Sequence, residues 1–251
     1  MRFAFTEEQD ELRRQARALL DEREPTWAEL AELGWLGVSV PEEAGGAGLG
    51  FVEEAVLFEE LGRALSPGPY FATVGLALPG LPPDEQALVA RGERTYEDDE
   101  IALDGPATRT RAFAALAAEA VGIAQKALEL AIEHATTREQ FGKPIGIYQA
   151  VSHPIVNTYI ETELARSLAY WAAWCVAEGD EMAPIAVAAA KSYAGDVAVA
   201  ACERSIQVHG GIGFTWEHVL HVYYKRALWI QAHGGYAREL RAEVAAWLLD
   251  R

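Results

Sequence analysis

Two short segments bring together residue types that do chemistry. The first is Thr137-Arg138-Glu139-Gln140-Phe141-Gly142-Lys143-Pro144-Ile145-Gly146, followed by Gln149. It interrupts two helical patterns with an arginine, an aromatic ring and a tight turn, a costly break unless something occupies the turn. The second is Gln207-Val208-His209-Gly210-Gly211-Ile212-Gly213-Phe214, at the end of an alanine-rich run. Three glycines let backbone N–H groups approach a ligand with no Cβ in the way, as a phosphate cradle requires. Each segment also reads as a plain helix-ending turn, and Gly-Gly-x-Gly by itself does not decide between the two.

Other chemistry is weakly represented. The two cysteines, Cys175 and Cys202, lie in alanine-rich stretches without CxxC or metal-ligand spacing, so they read as small buried apolar residues in a reducing cytoplasm, and no metal site is expected. Twenty-one basic against 38 acidic residues give a net charge of −17. That balance argues against nucleic-acid binding and against docking on an anionic membrane. No run approaches the ~20 apolar residues that span a bilayer. The start, MRFAFTEEQ, has no apolar export signal.

The elements that must position the two segments are helices. Thr6 with Gln9 and Thr26 with Glu29 form capping-box patterns, and Gly34 is placed to close the second helix. Val38–Gly50 is too rich in glycine and proline for regular structure. A helix is expected over Phe51–Leu65, stopped by Ser66-Pro67-Gly68-Pro69, with a short one over Tyr70–Leu78. Residues 79–109 read as a turn, a helix start and then a charged linker with a brief apolar stretch at Ile101–Leu103, room for a vestigial strand or two. Leu116, Ala120, Ile123, Ala127 and Leu130 keep helical spacing, as do Leu164, Leu168, Trp171 and Cys175. Pro184 opens another helix through about Val208, and Leu240, Val244, Trp247 and Leu248 stripe the last one. Long helices with short joins predict an all-α protein.

The two segments also stand in a larger pattern. LAELGWLGVSVPEEAGGAGLG (30–50) and EELGRALSPGP (59–69), with Thr6-Glu-Glu-Gln, resemble the opening helical domain of acyl-CoA dehydrogenases. TREQFGKPIGIYQA (137–150) and QVHGGIGFTWEHVLHVYYKRA (207–227) resemble the C-terminal helical domain of the same family, in the same order. The resemblance implies an N-terminal helical domain over 1–80, a linker over 81–109 in place of the family's middle β-domain, and a C-terminal four-helix up-and-down bundle over 110–251. It implies FAD as cofactor, an acyl-CoA substrate, α,β-dehydrogenation of the thioester, and an electron-transfer flavoprotein as acceptor. Arg138 would pair its planar guanidinium with the FAD pyrophosphate. Phe141 would pack on the flavin or adenine, and Gln149 would offer its amide. Gln207, Gly210 and Gly211 would meet the cofactor of a neighbouring subunit. The other reading of Arg138 is a helix-end arginine paired with Glu139 or Asp180.

Two departures from the family bear on activity. Residues 79–109 leave no room for the β-domain that covers one face of the flavin. The reaction also needs a carboxylate at the substrate α-carbon while the β-hydrogen leaves as hydride. In most relatives that glutamate falls at the position of Gly234, in the loop Trp229–Tyr236, and in another branch at the position of Ala112. Neither is a carboxylate here. His233, beside the expected position, is the weak candidate for a substitute base, its other reading being a loop histidine. Glu119 lies two turns from Ala112, off the level of the thioester, and reads as a surface or buried-pair carboxylate. The expected function is therefore an acyl-CoA dehydrogenase subunit, homo- or hetero-oligomeric, that lacks the base. The alternative is a non-catalytic helical scaffold or acyl-CoA-binding regulator.

Overall fold

The computed structural model describes residues 4–66, 68–97 and 105–250 and is all-α apart from one tiny hairpin. Helix α1 (Glu7–Glu22) begins where the sequence says it should. Thr6 Oγ1 accepts from Gln9 N at 3.2 Å, and Gln9 Oε1 accepts from Thr6 N at 3.0 Å. Helix α2 (Trp27–Glu32) carries the same reciprocal cap between Thr26 and Glu29, and Gly34 follows it in the left-handed region at φ 75°. Two short 3₁₀ turns, Trp35–Gly37 and Glu42–Ala44, lie in the glycine-rich loop before α3 (Phe51–Ala64). The helix expected over Tyr70–Leu78 is a run of π-helix, Phe71–Ala77, and α4 (Pro83–Ala90) lies within the stretch read as linker. The apolar stretch Ile101–Leu103 falls outside the described residues.

The C-terminal part comprises α5 (Pro106–Thr137), α6 (Gln149–Ala177), α7 (Ala183–His209), α8 (Leu220–Ala232) and α9 (Ala237–Leu249). Between α5 and α6, β1 (Glu139–Gln140) pairs antiparallel with β2 (Lys143–Pro144). Helix α7 is long and apolar enough to cross a membrane by length and composition, beyond what the sequence reading allowed, but 72% of its most apolar window is buried inside the protein. It is a core helix, packed along α5 and α6.

Small residues decide the packing. Ala112 through Ala118 of α5 are all buried, and α5 meets α3 nearly backbone to backbone. A Cβ added to Gly122 would lie 1.9 Å from Glu59 O, and one added to Gly62 would lie 2.4 Å from Glu119 O. Only glycine permits that approach. On α6 the buried face consists of Thr158, Thr162, Ala165, Ala169, Ala172, Ala173 and Cys175. The expected seam is therefore corrected: Leu164 is exposed and Leu168 only half-buried, because the small side chains let α6 close on α7 and displace the leucines outward. Both cysteines are buried and free, and burial pushes their thiols up to about 11 and about 12 for Cys175 and Cys202.

Buried acids of α3 fasten the layers together. Glu59 accepts from Arg13 of α1 at 3.3 Å and from Tyr170 and Arg166 of α6 at 2.6 and 2.9 Å. Glu60 receives both Nε and Nη2 of Arg17, at 2.9 and 2.7 Å. Glu54 meets Arg111 of α5 at 2.5 Å.

Candidate functional site

At one end of the bundle α5 stops at Thr137, and the chain turns through the hairpin. Its two turn residues, Phe141 (φ 56°) and Gly142 (φ 75°), are both left-handed, as a two-residue hairpin with the strands' twist requires. For glycine that is ordinary; for a bulky side chain it is a strained choice. The Phe141 ring is 91% exposed and has Tyr148 edge-on to it at 6.5 Å. A strained backbone holding an aromatic ring in solvent gains nothing from the fold itself.

Arg138 follows the last residue of α5 and is exposed. Among the described residues its guanidinium makes no ion pair, so neither Glu139 nor Asp180 holds it. Gln149 opens α6 and Gln207 lies in the last turn of α7, both exposed. Gly210 has φ 64°, and a Cβ added to it or to Gly211 would meet nothing within 4 Å. Nothing in the fold fills that space, as an open backbone cradle requires. Gly213 differs: its Cβ would come within 2.7 Å of Ile206 O, so this third glycine serves packing.

Residues that sequence reasoning missed draw the two segments together. His134, one turn before Arg138, stacks on His209 at 4.3 Å, and His209 meets His218 at 4.4 Å. His209 Nδ1 lies 2.8 Å from Ser205 O. Burial, then the neighbouring His209, Arg138 and His218, hold His134 below the usual imidazole value. Burial, then His209 and His221, do the same for His218. Arg138, Phe141 and Gln149 thus share one end of the bundle with Gln207, Gly210 and Gly211. An unpaired guanidinium, open backbone at two glycines and an exposed ring suit a dinucleotide cofactor such as FAD.

A second feature lies where α3, the segment after it, α5 and α8 meet. A cavity of about 430 Å³ is walled by Phe58, Leu61, Tyr70, Phe71, Glu119 and Arg226, among others. A smaller one of about 290 Å³ shares Phe71 and Arg226 and has Glu97 on its wall. Glu119, read from sequence as off the thioester's level, is on the cavity wall and 8% exposed. Arg226 donates to it through Nε at 2.6 Å and Nη2 at 2.9 Å, and the guanidinium lies 4.1 Å over Trp229.

The two positions at which the resemblance would put the base also have defined surroundings. Ala112 is fully buried. His233 is no free loop residue: it stacks on Trp229 at 4.3 Å and meets Phe71 edge-on at 5.6 Å. Lys191 of α7, almost fully buried, donates its Nζ to the carbonyls of Gln231 and Gly235 and so holds that loop. Burial brings its amine down to about 8. Neither the lysine nor the Glu119–Arg226 pair carried a local sequence signal, because each partner lies far along the chain.

Known proteins resemble this chain along most of its length. Family models match twice: acyl-CoA dehydrogenase, C-terminal domain, over residues 109–249, and acyl-CoA dehydrogenase, N-terminal domain, over residues 9–81. The chain is 32% identical to acyl-CoA dehydrogenase IpdE2 of Mycobacterium tuberculosis, covering 81% of this chain and 80% of that protein. It is 33% identical to acyl-CoA dehydrogenase FadE34 of the same organism over 88% of this chain but 42% of that longer protein. A variant of the Tcur3481–Tcur3483 steroid ACAD superposes with a TM-score of 0.83 at 25% identity, covering 97% of this chain and 98% of that one. The ChsE4–ChsE5 complex of M. tuberculosis shares the fold with a TM-score of 0.87 at 21% identity, covering 100% of both chains.

Proposed function

The chain belongs to the acyl-CoA dehydrogenase family, and from that premise we propose that it is the base-lacking subunit of a heteromeric, cytoplasmic acyl-CoA dehydrogenase. The observation that carries the reading is the bundle end: Arg138 unpaired, Phe141 91% exposed, and Gly210 and Gly211 open, all held at one place by the His134–His209 stack. Arg138 would hold the FAD pyrophosphate with its planar fork, Phe141 would cover the flavin or adenine, and Gln149 would offer its amide. Gln207, Gly210 and Gly211 would meet the cofactor of the neighbouring subunit with side-chain amide and backbone N–H.

FAD, when bound, supplies the hydride acceptor for the β-hydrogen of an acyl-CoA thioester and passes the electrons on to an electron-transfer flavoprotein. The α-proton needs a carboxylate, and Ala112 and Gly234 would stand at the positions where the resemblance implies one. The carboxylate on its own cavity wall, Glu119, is held by Arg226 at 2.6 and 2.9 Å. The proton therefore goes to another acyl-CoA dehydrogenase subunit, which also supplies the wall that excludes water from the reacting centre. The stretch between α4 and α5 is too short to build that wall from this chain.

Co-expression with an acyl-CoA dehydrogenase subunit that carries the glutamate tests the reading. The mixed sample should bind FAD more tightly than this chain alone, read from the visible absorption of the purified complex. Equal affinity in the two samples overturns it. The committed Glu119 also favours a second reading, a helical scaffold or acyl-CoA-binding regulator without flavin chemistry. A complex that stays colourless when FAD is added would select that one.

A further inference from the structure

The cavity between α3, α5 and α8 has an uneven wall. Phe58, Leu61 and Phe71 are apolar, and Tyr70 presents its ring while its hydroxyl donates to Trp35 O at 2.9 Å. Lys225 directs its ammonium over the Trp216 ring at 4.3 Å. Ser66 adds a neutral hydroxyl. Charge on the wall is thereby carried by the Glu119–Arg226 pair and by Lys225. An ion pair beside the apolar faces of Phe58, Leu61 and Phe71 is costly to desolvate unless the occupant also bonds to it.

We propose that this cavity takes an acyl group that carries a hydroxyl, and that Glu119 selects it by accepting that hydroxyl's proton in a hydrogen bond. The proposal rests on the acyl-CoA reading and names the substrate class. Each Glu119 oxygen accepts one bond from Arg226. A carboxylate oxygen has two acceptor sites, so the pair leaves acceptor capacity on the cavity side. A plain hydrocarbon chain would desolvate the pair and return nothing. A hydroxyl is neutral and donates. The volume, about 430 Å³, lies within the range of small-molecule pockets and admits a ring-sized skeleton.

The test uses the complex co-expressed with the glutamate-bearing subunit, because that subunit supplies the rest of the wall. Calorimetric titration compares cyclohexanecarbonyl-CoA with 3-hydroxycyclohexanecarbonyl-CoA. The hydroxylated thioester should bind about tenfold or more tightly, as expected for a site built around a hydrogen bond. In the double variant Glu119→Leu/Arg226→Met, which removes both charges together, the preference should vanish. Equal or tighter binding of the unsubstituted thioester by the native protein overturns the proposal without needing a variant. A preference that survives in a folded double variant removes Glu119 from it. Failure of both thioesters to bind overturns the acyl-CoA reading beneath it as well.

Discussion

His134 lies face to face with His209, their ring centroids 4.3 Å apart, and the stack joins the C-terminal ends of α5 and α7. Two segments separated by about sixty residues of sequence are therefore joined at the bundle end by rings that flank the hairpin and the glycine turn. Arg138, Phe141 and Gln149 stand on one side of that stack, and Gln207, Gly210 and Gly211, proposed for the neighbouring subunit's cofactor, stand on the other.

Arg138→Lys should weaken FAD binding by the assembled complex about tenfold or more, although the positive charge stays. The planar fork that makes two parallel bonds to a phosphate is lost. Flavin titration followed by fluorescence reads the change, and an unchanged affinity would remove Arg138 from the pyrophosphate.

Gly211→Ala and Gly122→Ala should separate binding from packing. A methyl group at Gly211 meets nothing within 4 Å, so the melting temperature should hold while FAD affinity falls. At Gly122 the methyl group would be forced to 1.9 Å from Glu59 O, so α3 and α5 must part. The cost there should reach about 3 kcal/mol, at the upper end of overpacking effects, measured by denaturant unfolding.

His233→Ala should leave turnover of the complex nearly unchanged and lower the melting temperature. The imidazole is packed between Trp229 and Phe71, which suits a structural ring better than a proton carrier. If His233 were the base, turnover would fall by ~10²–10⁴-fold at intact flavin content.

The histidine cluster should make stability fall with acid. His134 and His218 are held below the ordinary 6.5 chiefly by burial, so below that pH the unfolded chain binds more protons than the folded one. Stability contributed by the neutral rings is complete above about pH 6.5 and is lost as pH falls toward the depressed folded values. Arg138, His209 and His221 face the cluster and add to the effect. His134→Phe keeps a ring for stacking and removes one titration, so the melting temperature should decline less between pH 7 and pH 5, followed by circular dichroism.

Local signals in the sequence located most elements. Thr6 and Thr26 start α1 and α2 because a capping box is complete within four residues. Gly34 ends α2, and Pro184 stands in the first turn of α7, as spacing indicated. Periodicity misled on α6, where Leu164 drew the core line through large residues while Thr162 and Ala165 form the buried face. Helices that touch through alanine and glycine give large side chains no place between them. Of the candidate site, Arg138, Phe141, Gln149, Gln207, Gly210 and Gly211 stand out by type and turn chemistry. His134, Lys191 and the Glu119–Arg226 pair do not, because each acquires meaning only from a residue that folding brings near.

The glycine-mediated contact of α3 on α5 has a consequence for how the chain tolerates being cut. The N-terminal helices are fixed to the bundle by main-chain proximity at Gly62 and Gly122 and by the acids Glu54 and Glu59, none of which depends on the connection between α4 and α5. Two polypeptides divided in that connection and produced together should find each other and reconstitute the native molecule. The same independence gives a gene encoding this protein a point at which to lose or accept an inserted module while the helical halves stay joined.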